Sequence, residues 1–458
     1  MRKILFYLIL FSILHSTVLS NELNTIISNT SSLYIQNMNA CLDKNVLYLT
    51  NHYSNGDSEY DPDKVLVQKY DLILRKIVWE NKIDAGSHDL IPYLSIVDSF
   101  GNLEIYSNYI SFSSYEIIMD SKPQKNTFNS EGLELEKKLD TNKTISNIQS
   151  QLRFIKFSNS ISFIYNTDGL TNKNKTVFCV MDSSFTLDKS RNLDTIPTIA
   201  ADTSIYYYKA IEASGSSQNY AYYGGLINVG HLEAGKYYQD DSVNIYIAKI
   251  DSIGNTIWMY RTYGNTAAYP KKFKNIITHS DGSVSVYYVD KIENVARIIH
   301  LSSNGEFIND FKICGAGEKS AVAGYFVNKQ NEYIVYGNKT LSNGVIYHWI
   351  TKFLQNGDKV YDHIFAQASK YDLIANILQK DDYSYIVISD SFDPDEHLST
   401  ISIMEFSDAP SGINESTVST SAYWNGYSIT VTGANNEEIE LAELYDITGR
   451  LVATQNGL

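Results

Sequence analysis

The sequence predicts an all-β protein, a seven-bladed β-propeller of four-stranded blades, and three observations carry that reading. Turn glycines recur at a fixed period: Gly254 in Asp251-Ser-Ile-Gly-Asn-Thr-Ile-Trp, Gly305 in Leu301-Ser-Ser-Asn-Gly-Glu-Phe-Ile and Gly357 in Leu354-Gln-Asn-Gly-Asp-Lys-Val-Tyr stand 51 and 52 residues apart. That is the spacing of a repeat architecture. Each repeat divides into four short strand-like runs with turn residues between them, and no sustained 3.6-residue apolar period signals a helix. The composition also suits pleated sheets, with 36 Tyr among 458 residues. Four short strands per unit, repeated radially, leave only short and protected sheet edges.

Taken in order, residues 1–20 come first. Arg2 and Lys3 precede an apolar run from Ile4 to Leu14, followed by Thr-Val-Leu-Ser. This is the pattern of a secretory signal peptide; the run is too short to span a bilayer and none like it follows, so no transmembrane segment is expected after cleavage. The propeller is expected over residues 21–408. Its units align on their second strands: Val46-Leu-Tyr-Leu, Leu103-Glu-Ile-Tyr, Ser162-Phe-Ile-Tyr, Tyr220-Ala-Tyr-Tyr, Val284-Ser-Val-Tyr, Tyr333-Ile-Val-Tyr and Tyr385-Ile-Val-Ile. Six blades is the alternative, if the second or third unit is misread. The seventh unit lacks an outermost strand, and Leu23-Asn-Thr-Ile-Ile-Ser28 is expected to supply it, since an open edge would leave backbone groups unpaired. A Ser/Thr-rich linker (409–420) leads to an incomplete, small β-sandwich-like module (421–458) with strands at Tyr427–Thr432 and from Ile439 onward.

The run Leu444-Tyr-Asp-Ile-Thr-Gly-Arg-Leu-Val452, at the C-terminal end of a chain with a leader, resembles the C-terminal sorting domain of Bacteroidetes type IX (Por) secretion substrates. The hexapeptide Tyr445, Asp446, Ile447, Thr448, Gly449 and Arg450 carries the match. The resemblance implies passage through the type IX secretion machinery to the outside or the outer cell surface. Family members usually continue with further strands, so the domain reads as incomplete at Leu458. The Lys249-Ile-Asp-x-x-Gly-Asn-x-x-Trp258 repeat resembles those of secreted propellers carried by such substrates, a likeness of fold and compartment rather than activity.

Composition bounds the chemistry. A net charge of -15 with 37 Lys and Arg argues against a nucleic-acid partner, which demands clustered cations. Cys41, Cys179 and Cys314 are odd in number and widely spaced, so they are read as buried free thiols. No His-Glu-x-x-His or Gly-x-Ser-x-Gly occurs, which leaves no zinc hydrolase helix and no nucleophile elbow. Two acidic loops hold the ligand type calcium takes: Asp57, Glu59, Asp61 and Asp63 in the first unit, Asp393, Asp395 and Glu396 in the seventh. Both contain Asp-Pro-Asp, which is equally a good turn sequence. The longest insertion, in the fourth unit, reads as a loop whose His231, Glu233, Tyr237, Tyr238, Asp240 and Asp241 mix aromatic faces with hydrogen-bonding groups, as sugar or peptide sites do. Trp79, Trp258 and Trp349 read as packing between blades. Among the first strands Asp98 and Glu212 make no consistent carboxylate set, so the expected function is a secreted or cell-surface binding or scaffold module for a glycan or protein. The alternative is a propeller enzyme acting on extracellular polysaccharide.

Overall fold

The structure is a computed structural model. It describes residues 20–23, 34–54, 64–86, 88–112, 119–140, 145–148, 152–158, 160–166, 176–193, 204–215, 219–233, 236–262, 270–290, 295–313, 320–341, 344–368, 372–393, 398–407, 421–424, 429–432, 441–445 and 451–456.

A short strand β1 (Ser20–Leu23) precedes the first blade, which comprises β2 (Tyr34–Asp43), β3 (Val46–Ser54), β4 (Lys64–Asp71) and β5 (Lys76–Ile83). Blade 2 has β6 (Asp89–Val97), β7 (Leu103–Phe112) and β8 (Met119–Phe128), with its outer position divided between β9 (Glu134–Leu139) and β10 (Ile145–Ile148), both paired to β8. Blade 3 follows as β11 (Arg153–Lys156), β12 (Ile161–Asn166), β13 (Thr176–Met181) and β14 (Leu187–Asn192). Blade 4 is β15 (Ser204–Gly215), β16 (Tyr220–Glu233), β17 (Lys236–Asp251) and β18 (Thr256–Arg261). Blade 5 is β19 (Pro270–Thr278), β20 (Val284–Asp290), β21 (Ala296–Leu301) and β22 (Phe307–Lys312). Blade 6 is β23 (Ser320–Val327), β24 (Tyr333–Thr340), β25 (Ile346–Phe353) and β26 (Lys359–Ala368). Blade 7 is β27 (Leu373–Gln379), β28 (Ser384–Asp393) and β29 (Leu398–Ser407), completed by β1.

Each first strand touches the first strands of both neighbouring blades, and β27 meets β2, so seven blades close into a ring. The six-bladed alternative is excluded. Second strands are buried on both faces, as in Ile161–Asn166 and Val284–Asp290, while outermost strands such as Leu187–Asn192 are largely exposed. Seven apolar clusters fill the gaps between adjacent blades. Closure uses the N-terminal segment, but three residues upstream of the expected start: Ser20 pairs with Phe406 and Leu23 with Ile403. An edge ladder is made by backbone groups, so the apolar residues that pointed to Leu23–Ser28 carried no information about register. Residues 24–28 lie outside the described set. The C-terminal strands β30 (Ser421–Trp424) and β31 (Ile429–Thr432), then β32 (Leu441–Tyr445) and β33 (Leu451–Asn456), form two separate two-stranded sheets among the described residues.

The repeated residues latch one blade to the next. Asp251 Oδ1 accepts the backbone N–H groups of Ile253 and Asn255 at 3.0 and 2.7 Å, setting the turn between third and fourth strands. Trp258 Nε1 and Lys249 Nζ both donate to the carbonyl of Ser303, in the corresponding turn of blade 5, at 2.9 and 3.1 Å. Gly305 of that turn has φ +86°, and a methyl group on it would lie 2.7 Å from the Trp258 ring. Only glycine meets both demands. Blade 1 repeats the arrangement on blade 2, with Trp79 and Lys69 donating to Ser130 at 3.1 and 2.7 Å. Trp349 is buried in the cluster between blades 5 and 6. The tryptophans therefore pack between blades, as expected, and the motif is architectural.

Candidate functional site

In an antiparallel four-stranded blade the first and third turns emerge at one end, and the second turn and the connection to the next blade at the other. All the latch turns are of the first kind. The opposite face carries the longer connections between the described strands, and of the sequence-predicted candidates the blade 4 segment and Asp393 lie towards it.

The fourth-unit insertion is not a loop, as expected, but a continuation of strands β15, β16 and β17. Ser204 pairs with His231, His231 with Tyr238, Leu232 with Tyr237 and Glu233 with Lys236. Ladder hydrogen bonds satisfy the backbone through most of the segment, which a loop of this length would have to expose. Asp240 and Asp241 fall in the irregularity between the Asn228 and Gly230 pairs. Of the acidic loops, Asp393 ends β28, and Asp57, Glu59, Asp61, Asp63, Asp395 and Glu396 lie outside the described residues. Among the described residues no group of three or more His, Cys, Asp or Glu could hold a metal ion. Tyr445 ends β32, and Asp446, Ile447, Thr448, Gly449 and Arg450 lie outside the described set. No helix among the described residues is long and apolar enough to cross a membrane.

Side chains that the sequence did not single out converge on this face. His88 lies just before β6, two residues ahead of Leu90, which pairs with Tyr109 of β7. The Tyr109 hydroxyl and His88 Nδ1 are 2.8 Å apart, and the rings stack with centroids 4.7 Å apart and planes inclined by 26°. Both residues are half-buried. A phenol hydrogen-bonded to an imidazole can pass a proton either way, according to which nitrogen carries the hydrogen.

The inner wall is shaped by bulges. Among the described residues, six first strands carry one at comparable depth, between the pairs flanking Met38, Tyr93, Lys209, Asn275, Ala323 and Ala375. A bulge frees a carbonyl from the ladder and re-aims its neighbours. The freed carbonyl of Tyr93 accepts Asn39 Nδ2 at 2.6 Å, and that of Asn275 accepts the Tyr325 hydroxyl at 3.1 Å. The Arg153 guanidinium lies over the Tyr93 ring, 5.0 Å from its centroid, within cation–π reach. Three successive inner strands thus bring Asn39, Tyr93 and Arg153 together.

A second polar group joins blades 6 and 7. His348 Nδ1 donates to Asn338 Oδ1 at 2.8 Å, Asn338 Nδ2 donates to the carbonyl of Asp372, and Ser391 Oγ donates to Asp372 Oδ1 at 2.5 Å. Burial lowers the His348 pKa, partly opposed by the charge of Asp372. Asp98, offered by sequence as an inner carboxylate, instead caps the first turn of blade 2 through Phe100 and Asn102 on the latch face. Cys41 and Cys179 are free thiols, as expected; Cys179 is buried, while Cys41 is half-buried and its pKa is pushed up to about 12 by burial and by Asp43.

No family model and no curated protein sequence matches the chain. Solved structures do. An ulvan lyase, described as a new family of polysaccharide lyase, superposes with a TM-score of 0.54 at 9% identity over 82% of this chain and 95% of that one. Its complex with -[GlcA(1-4)Rha3S]- fits equally, with a TM-score of 0.54 at 9% identity over the same shares of the two chains. A protein of unknown function from Dyadobacter fermentans gives a TM-score of 0.43 at 10% identity over 85% of this chain and 98% of that one. At these identities the likeness shows the fold alone.

Proposed function

We propose that the chain is a propeller enzyme that cleaves an extracellular polysaccharide at the face opposite the latch turns. The observation that carries this reading is the His88–Tyr109 pair, a phenol and an imidazole within hydrogen-bond distance on that face. The ulvan lyase likeness supports it by showing that a propeller of this kind can process a glycan. The reaction class that suits the pair is β-elimination next to a uronate carboxylate. A base takes the proton on the carbon bearing the carboxylate, the C4–O bond breaks, and the departing oxygen takes a proton; the product gains a C4=C5 double bond. Tyr109 would exchange protons with the sugar while His88 accepts and returns the phenolic proton. Arg153, over Tyr93 on the inner wall, supplies a fixed cation in a chain that is otherwise acidic.

The test is to incubate the full chain with a panel of uronate-containing and neutral polysaccharides, following ultraviolet absorbance of the unsaturated product and release of reducing ends together. Both signals rising support β-elimination. Reducing ends without absorbance would mean hydrolysis, and neither signal with any substrate would sink the enzymatic reading. The second reading, a binding or scaffold module for a glycan or protein, rests on the blade 4 ribbon, and a thermal shift without cleavage would favour it. Export through the leader and the type IX machinery, by way of Tyr445 to Arg450, and calcium in the acidic loops belong to the same proposal. Loss of a thermal shift on chelation would test the calcium.

A further inference from the structure

We propose that blade 6 carries an amide cross-link made by its own residues, joining Lys352 Nζ to Cγ of Asn328. Both side chains are buried, with Asn328 3% and Lys352 8% exposed, and both rest on one atom. Glu332 Oε2 lies 2.6 Å from Lys352 Nζ and accepts Asn328 Nδ2 at 2.8 Å. The remaining amide atom, Asn328 Oδ1, accepts the backbone N–H groups of Gln330 and Glu332 at 3.0 and 2.8 Å. Two fixed donors thus polarise the amide carbonyl, while its nitrogen and a primary amine share a carboxylate. Acyl transfer to an amine uses these parts: a nucleophile, a proton carrier and donors for the oxyanion.

The ring explains why this lysine is placed here. By register Lys352, opposite Tyr361, corresponds to Lys69 opposite Trp79 and to Lys249 opposite Trp258. Those two reach the third turn of the following blade. Blade 7 forms no such turn, because its third strand ends at Ser407 and its fourth is β1, and Lys352 instead meets Glu332 of its own blade. The Tyr361 ring centroid is 6.0 Å from Lys352 Nζ, the Tyr385 hydroxyl accepts Asn328 Nδ2 at 3.3 Å, and both rings belong to the apolar cluster between blades 6 and 7. Lys125 also sits on a carboxylate, Glu104, but its neighbour there is the Tyr106 hydroxyl, which offers no acyl carbon.

In the reaction Glu332 takes a proton from the Lys352 ammonium, and Nζ forms a bond to Cγ. Charge developing on Oδ1 rests on the two N–H groups. Glu332 then passes the proton to Nδ2, the Cγ–Nδ2 bond breaks, and the nitrogen departs. An ammonium and a carboxamide become a secondary amide and an ammonium ion, with no oxidant or cofactor consumed. The product removes a buried charge from the cluster.

Tryptic mass spectrometry of the full chain tests this without any variant. Trypsin cuts after Lys319, Lys329, Lys339, Lys352 and Lys359, but not after an acylated lysine. The expected species is residues 320–329 joined to residues 340–359, about 17 Da lighter than the two peptides together because ammonia is lost. In Glu332→Gln the link is lost, and peptides 320–329 and 340–352 appear separately. Wild-type protein that yields those separate peptides at full mass would overturn the proposal. So would a loss of about 17 Da confined to 320–329 with normal cutting at Lys352, since that marks attack on Asn328 by its own backbone. A link formed equally in Glu332→Gln would overturn the role of Glu332 as proton carrier.

Discussion

Trp258 and Gly305 show how far single residues set the architecture. The indole covers the turn of the next blade and donates to its Ser303 carbonyl, while Gly305 leaves room for the ring and adopts a left-handed φ. Trp258→Ala is expected to destabilise the protein by about 3 kcal/mol through lost burial. Gly305→Ala should cost about 2 kcal/mol, because the backbone is left-handed and the new methyl group meets the ring. As the residues touch, the double variant should lose less than the sum. Urea denaturation measures all three, and a Gly305→Ala within 0.5 kcal/mol of wild type would remove the latch as a source of stability. His279 and His300 bear on pH. Their rings stack at 4.7 Å, with His279 Nε2 and His300 Nε2 each 2.9 Å from a serine hydroxyl, Ser285 and Ser283 respectively. Burial and the neighbouring imidazole push His279 down to about 3, with Asp281 opposing, and burial also lowers His300. A histidine with a depressed folded pKa contributes stability that is complete above its unfolded value of about 6.5 and declines as pH falls below it. Stability should therefore fall from pH 6.5 towards 4, before most carboxylates titrate, and His279→Asn/His300→Asn should flatten that decline. An equally steep decline in the variant would show that other groups cause it.

At the scale of elements, β1 and the blade 4 ribbon make opposite predictions. Strand β1 completes blade 7, and without it β29 presents an open edge. Deleting the segment through Leu23 should lower the melting temperature by several degrees, and no change would contradict closure by this strand. The ribbon extends beyond the rungs shared by the other blades, so replacing residues 230–239 by Asn-Gly should leave the melting temperature unaltered. If it also guides substrate, KM should rise while the turnover number stays near that of wild type. A large fall in melting temperature would instead make the ribbon part of the framework.

Across the whole molecule, the ring was legible because its cause is periodic. Tyr220, Val284 and Tyr333 begin second strands as their apolar runs indicate, and Gly254, Gly305 and Gly357 occupy left-handed turns one blade apart. What escaped has no period. His88 and Tyr109 are 21 residues apart and meet only because Asp89–Val97 folds back on Leu103–Phe112. Bulges at Tyr93 and Asn275 leave no mark in an alternation pattern already blurred by burial on both faces. The fourth-unit insertion looked like a loop because its Gly, Asp and Tyr content suits one, yet pairing with its neighbours outweighed local preference. Asp98 was misleading for the converse reason: a carboxylate near an inner strand caps a turn as readily as it attacks a sugar.

The most direct test of the enzymatic reading compares wild type with Tyr109→Phe on whichever polysaccharide the panel selects. The hydroxyl is only part-buried, so the variant should fold with wild-type melting temperature. The account predicts a loss of turnover of about a hundredfold or more, the usual scale for removing a proton-transfer group, with substrate binding retained. A Tyr109→Phe protein that cleaves at the wild-type rate would contradict it.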